Sequence, residues 1–124
     1  MSAAPETPDV LLVEDDDAVR EGLEEVLTGE GYAVRTAADG EKALAWLRAG
    51  NRPRLLLLDL VMPRMGGERF LEALRASPPP APPVVLMTAS SPSSRGRLPA
   101  ADALLVKPFD LAELLSTVGR FLRR

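Results

Sequence analysis

The sequence contains no cysteine and no histidine. The first absence excludes disulfides, thiolate metal sites and thiol nucleophiles, and fits a reducing compartment. The second removes the commonest general base, the commonest metal ligand and any phosphohistidine carried by the chain itself. No apolar run approaches the roughly 20 residues that a membrane-spanning helix needs. Residues 1–9 lack the basic and apolar regions of a signal peptide. An excess of positive charge is also missing: 15 Lys and Arg stand against 18 Asp and Glu, a net charge of -3, which disfavours the basic face of a nucleic-acid binder. These absences point to a cytoplasmic location, with neither membrane nor nucleic acid as a direct partner. Carboxylates, hydroxyls, lysine and arginine are left to carry the chemistry.

What is present is a chain of 124 residues, 46% of them apolar, enough for one domain with a proper core. Residues 1–8 are small and polar with two prolines and read as a flexible tail; residues 9–124 read as one domain. Val10 to Val13 is a short continuous apolar run of the kind found in a strand buried on both faces. Val19, Leu23, Val26 and Leu27 then recur at helical spacing, and Gly29 and Gly31 end that helix. Residues 32–36 predict a second strand. Asp39 can cap a helix that carries Ala43, Leu44 and Leu47 and stops at Gly50. Leu55 to Leu58 is the clearest buried strand, with Asp59 at its end. Phe70, Leu71 and Leu74 stripe a third helix, closed by Pro78, Pro79 and Pro80. Val84 to Met87 predicts a fourth strand, followed by Thr88, and Ala103 to Val106 a fifth, followed by Lys107. The final helix has Asp110 and Glu113 as a capping box, with Leu111, Leu114, Leu115, Val118, Phe121 and Leu122 along one face. Trp46 reads as a partly buried helix residue rather than a stacking platform. Strands that alternate with helices imply a parallel sheet with right-handed crossovers, covered on both faces.

In such a sheet, ligands bind outside the carboxyl ends of the strands. Glu14 and Asp15, Asp59, Thr88 and Lys107 each lie just past a strand, so the fold predicts that they meet in one crevice. Clustered carboxylates repel unless a cation neutralises them. With only oxygen donors available, Mg²⁺ or Mn²⁺ is the expected ion. A cation, an ammonium and a hydroxyl together suit a phosphoryl group, and an aspartate can itself be the nucleophile. Asp59, at the end of the central strand, is the candidate. Taken singly, these residues have plainer readings: Asp15 and Asp16 as helix caps, Asp59 as a turn residue, and Asp17, Arg20, Glu24 and Glu25 as a solvated face. Their joint placement carries the functional reading.

The segments Leu12 to Asp16, Leu57 to Pro63, Met65 to Gly67, Leu86 to Ala89 and Val106 to Phe109 resemble, in order, the motifs of the response-regulator receiver family. The likeness runs from about Val10 to Leu122. It implies a flavodoxin-like, doubly wound five-stranded parallel sheet of order 2-1-3-4-5. It implies Asp59 as the phosphoacceptor and a metal ligand, Asp15 as a direct ligand, Glu14 as a ligand through water, and the Val61 carbonyl completing the metal site. Thr88 and Lys107 would bind the phosphoryl oxygens, a small Ala89 would let the donor enter, and the Lys107–Pro108 bond would be cis. The implied partner is a sensor histidine kinase or histidine phosphotransfer protein, with a further protein target downstream and homodimerisation possible. The chain would catalyse its own phosphorylation and would not be a conventional enzyme. No output domain follows Arg124, so the chain either signals by protein contact or is part of a longer protein.

The sequence departs from the family at three places. Leu104 stands where an aromatic side chain is frequent, which excludes an aromatic rotamer switch there. Residues 90–99 hold four serines, two prolines and a glycine, so the crossover helix between the fourth and fifth strands is expected to be short or irregular. Gly66 replaces a frequent aspartate in a turn. Other readings are a phosphorylation-independent binding module, a magnesium-dependent aspartyl-phosphate phosphatase and a flavin-binding domain. The phosphatase is disfavoured by Val61, where such enzymes usually carry a second aspartate. The flavin reading is disfavoured by the acidic crevice.

Overall fold

A computed structural model of the chain describes residues 5–60, 65–76, 81–89 and 101–122. In chain order these form β1 (Val10–Val13), α1 (Asp17–Gly29), β2 (Val34–Ala37), α2 (Gly40–Arg48), β3 (Leu55–Asp59), α3 (Gly67–Arg75), β4 (Val84–Thr88), β5 (Ala103–Val106) and α4 (Leu111–Phe121). The strands make one parallel sheet of order β2-β1-β3-β4-β5, the order the family resemblance implies. The stretch at 90–99 and the prolines at 78–80 lie outside the described residues.

The apolar runs of the strands are divided between two cores. Successive strand side chains point to opposite faces, so Leu11, Val13, Leu56, Leu58, Val84 and Leu86 face one way and pack with Ala43, Leu44, Leu47, Phe70, Leu71 and Leu74 of α2 and α3. Val10, Leu12, Leu55, Leu57, Val85 and Met87 face the other way and pack with Leu23 and Leu27 of α1 and Leu114 and Val118 of α4. All four leucines at 55–58 are 0% exposed. Burial on that scale contributes roughly 1.5–3 kcal/mol per side chain.

The helix starts follow their caps. The side chains of Asp16, Asp39 and Asp110 accept from the backbone N–H groups of Val19 at 3.0 Å, Lys42 at 2.8 Å and Glu113 at 2.7 Å, each worth about 1 kcal/mol. Gly31 and Gly50 take positive φ after α1 and α2, at 94° and 103°, where a Cβ would be strained. The second strand begins later than its sequence predicts. Tyr32 N–H still donates to the Leu27 carbonyl, so the closing turn of α1 claims it and pairing starts at Val34.

Two side chains assigned to the core stripes lie outside them: Val19 is 38% and Leu111 54% exposed. Both stand in the first turn of a helix that starts from a loop at the carboxyl edge of the sheet, where little strand surface lies beneath them. Residues before β1 run beside those before β3. Arg52 and Arg54 donate backbone N–H to the carbonyls of Glu6 and Pro8 at 2.9 and 3.0 Å, and Asn51 Oδ1 accepts from Glu6 N–H at 2.7 Å.

Candidate functional site

Strand register assembles the site. Val13 is level with Leu58, so Glu14 follows β1 at the height of Asp59, the last residue of β3. Asp59 is level with Met87 and Thr88 with Val106, which places Thr88 at the end of β4 and Lys107 one step past β5. Lys107 N–H donates to the Thr88 carbonyl at 2.6 Å, tying the last two ends together, and the Lys107–Pro108 bond is cis. Residues far apart in sequence thus share one crevice at the carboxyl edge, the position expected for a ligand site in this architecture.

Glu14, Asp15 and Asp59 each offer a carboxylate oxygen within 4.8 Å of the others. Lys107 Nζ lies 3.0 Å from Glu14 Oε1 and 3.6 Å from Asp59 Oδ2. Glu14 and Asp59 form the floor of the crevice, 1% and 6% exposed, and Asp15 stands exposed at its rim. Burial pushes the Glu14 carboxyl above its ordinary pKa, and the neighbouring Asp59 adds to the rise; the Lys107 ammonium and the Asp16 N–H work against it. Burial alone would lower Lys107, but its hydrogen bond to Glu14 and the charges of Asp59 and Glu14 outweigh it and raise its pKa. A set of three oxygen donors with excess negative charge suits a hard divalent cation.

The acidic run from Glu14 to Asp17 splits by position. Glu14 and Asp15 enter the crevice, Asp16 caps α1, and the exposed Asp17 accepts from Arg20 Nη2 at 2.6 Å. Of the two residues that the plain reading offered as caps, Asp16 is the cap and Asp15 lies instead beside Glu14 and Asp59. Thr88 is buried at the end of β4. Val61 lies outside the described residues. Ala89, just past β4, is exposed, and Leu104 is partly buried against the core under α2 and α3.

The sequence reading gave Gly67 no role of its own, although it forms part of the support beneath Asp59. A Cβ built there would lie 2.9 Å from the Leu60 Cα and carbonyl oxygen and 3.1 Å from the Asp59 carbonyl oxygen. Gly67 N–H also donates to the Leu60 carbonyl at 3.0 Å. The start of α3 therefore presses directly on the backbone that carries Asp59. Gly67→Ala is expected to cost about 1–3 kcal/mol in urea unfolding. Gly66→Ala, where a Cβ meets nothing within 4 Å, should stay within about 0.5 kcal/mol of the parent. Equal effects at the two positions would refute the close-approach argument. The only sequence signal for Gly67 was its place in a Met-Gly-Gly turn.

Fold and crevice together define a class: a doubly wound parallel α/β domain with an acidic, lysine-bridged pocket at the strand ends. The model of the response regulator receiver domain matches residues 10–119, and the chain belongs to that family. It is 44% identical over 117 residues to response regulator MprA of Mycobacterium sp. (strain KMS), an alignment covering 93% of this chain and 50% of the relative. The chain spans about half the length of the curated relatives it matches. Among solved structures it is similar to response regulator TrrA of Thermotoga maritima in complex with Mg²⁺-BeF, with 37% identity, TM-score 0.79 and coverage of 91% of this chain and 97% of that one. It also resembles the receiver domain of a signal transduction histidine kinase from Syntrophus aciditrophicus, with 30% identity, TM-score 0.80 and coverage of 94% and 90%. No described helix is long and apolar enough to cross a membrane.

Proposed function

We propose that Asp59 accepts a phosphoryl group from a phosphohistidine on a partner kinase or phosphotransfer protein, and that residues 9–124 act as one receiver unit. The observation that carries this reading is the meeting of three carboxylates within 4.8 Å with a lysine ammonium 3.0 and 3.6 Å from two of them. An Asp59 carboxylate oxygen attacks phosphorus; the new P–O bond forms as the P–N bond to the donor imidazole breaks, and the imidazole leaves with its electron pair and takes up a proton. Lys107 holds the transferring oxygens by charge and Thr88 by its hydroxyl. Glu14, Asp15 and Asp59 would hold Mg²⁺ or Mn²⁺, which supplies charge neutralisation between the carboxylates and the incoming phosphoryl oxygens. Transfer adds about two negative charges to the crevice, which can bias a two-state surface. With leucine at 104, that bias works without an aromatic side chain at this position. The donor supplies the phosphoryl group, so the chain is a phosphoacceptor rather than a conventional enzyme.

Incubation with acetyl phosphate and Mg²⁺, followed by intact mass measurement, tests this. The expected result is a labile adduct of one phosphoryl group that is lost completely in Asp59→Asn. The variant should melt no lower than the parent in chelator, because it removes one of three clustered negative charges. A persistent unmodified parent mass would support a phosphorylation-independent binding module. Rapid turnover of varied phosphoesters would support a phosphatase.

A further inference from the structure

A second concavity, of about 330 Å³, opens beside the acidic crevice and differs from it in sign. It lies at the carboxyl end of β2, at residues 36–38, and is walled by Arg20 of α1, Arg35 of β2, and Lys42 and Trp46 of α2. No carboxylate lines it, although the chain as a whole carries -3. Arg20 is a fixed wall, since its Nη1 donates to the Glu14 carbonyl at 3.0 Å and its Nη2 to Asp17 at 2.6 Å. The other two cations are loosely held. Arg35 has a 3.8 Å contact with Glu6, both half exposed, and lies 5.9 Å from the Trp46 ring centroid. Lys42 Nζ has no ion-pair partner among the described residues. The Trp46 indole N–H is buried and unpartnered among the described residues, a deficit of the kind that costs about 1–3 kcal/mol.

We propose that this concavity is a binding site for a small organic anion that carries a flat ring and a phosphate, the chemistry of a mononucleotide. Its volume falls at the lower end of the roughly 300–1,000 Å³ typical of small-ligand pockets. Lys42 and Arg35 meet the phosphate by charge-assisted hydrogen bonds. The Arg35 guanidinium and the Trp46 indole offer flat surfaces for the ring. The site is separate from Asp59 and does not depend on phosphoryl transfer.

Trp46 is the sole tryptophan, so its fluorescence reads occupancy directly. Titration of the full chain with AMP in chelator should give a saturable change with a dissociation constant in about the 10–1,000 µM range. Lys42→Ala and Arg35→Ala should each weaken binding about 5-fold or more. Arg48→Ala, on the same helix but away from the concavity, and Asp59→Asn should leave it unchanged. Inorganic phosphate and adenosine, each holding half of the required chemistry, should bind more weakly than AMP. The proposal is overturned by no saturable change up to about 10 mM AMP, by binding insensitive to both cation variants, by adenosine binding as tightly as AMP, or by loss of binding in Asp59→Asn.

Discussion

Lys107→Met is expected to destabilise the protein by about 2–4 kcal/mol at pH 7 in chelator, with Mg²⁺ recovering part of the loss. Removing one partner of a buried pair leaves the other charge uncompensated, an effect on the order of 3–5 kcal/mol when both are fully buried. Glu14 is 1% exposed, but the Lys107 side chain is 29% exposed, so solvent screening brings the figure down. The pH dependence follows from the raised pKa values. Folded Glu14 binds a proton more readily than the unfolded chain, so its ionisation imposes a cost that is absent below its ordinary value of 4.5 and complete above the raised folded value. Lys107, also raised, contributes stability that is present below its ordinary 10.5 and lost as pH climbs through its folded value. The deficit of the variant should therefore shrink as pH falls toward 4.5, where Glu14 becomes neutral, and shrink again at strongly alkaline pH, where the parent loses the same charge. Chemical denaturation across pH measures this. A variant within about 0.5 kcal/mol of the parent at pH 7 would show that the ion pair contributes little to the fold.

Phe70→Ala should cost about 3–5 kcal/mol. Phe70 is among the largest side chains with no solvent exposure, and it fastens α3 to the sheet face formed by Leu56, Leu58 and Leu86. A loss of that size lowers the melting temperature by roughly 4 °C per kcal/mol for a domain of this length. Leu111→Ala, at 54% exposure, should stay within about 0.5 kcal/mol. If the two variants melt together, the core assignment is wrong. On the proposed function, Phe70→Ala should also slow labelling by acetyl phosphate, read by intact mass, because α3 begins at Gly67, pressed against the Asp59 and Leu60 backbone.

Most of the sheet was legible because both of its faces are buried. A run such as Leu55 to Leu58 has no polar alternation to confuse with a surface strand, and Asp59 marks its end. The caps were legible because Asp16, Asp39 and Asp110 each stand just before a helical apolar spacing. Spacing alone could not show that Val19 and Leu111 escape burial. It records which face a residue occupies and not whether sheet lies beneath that part of the helix. Nor could it decide whether Asp15 joins Glu14 in the crevice or Asp16 at the cap, which depends on where β1 stops and α1 turns. The basic concavity was illegible for a different reason. Arg20, Arg35, Lys42 and Trp46 sit on three separate elements with no shared motif, and β2 had to pair with β1 before they could become neighbours.

The Lys107–Glu14 contact joins residues 93 apart along the chain, and every strand pair in the sheet is parallel. Parallel neighbours cannot be joined by a tight hairpin, so each pairing waits for a crossover to close. Chains dominated by such distant pairings fold slowly for their size. No fragment that stops before β5 contains the ammonium that bridges the acidic floor. The acidic floor therefore gains its bridging cation only with the last strand to be synthesised.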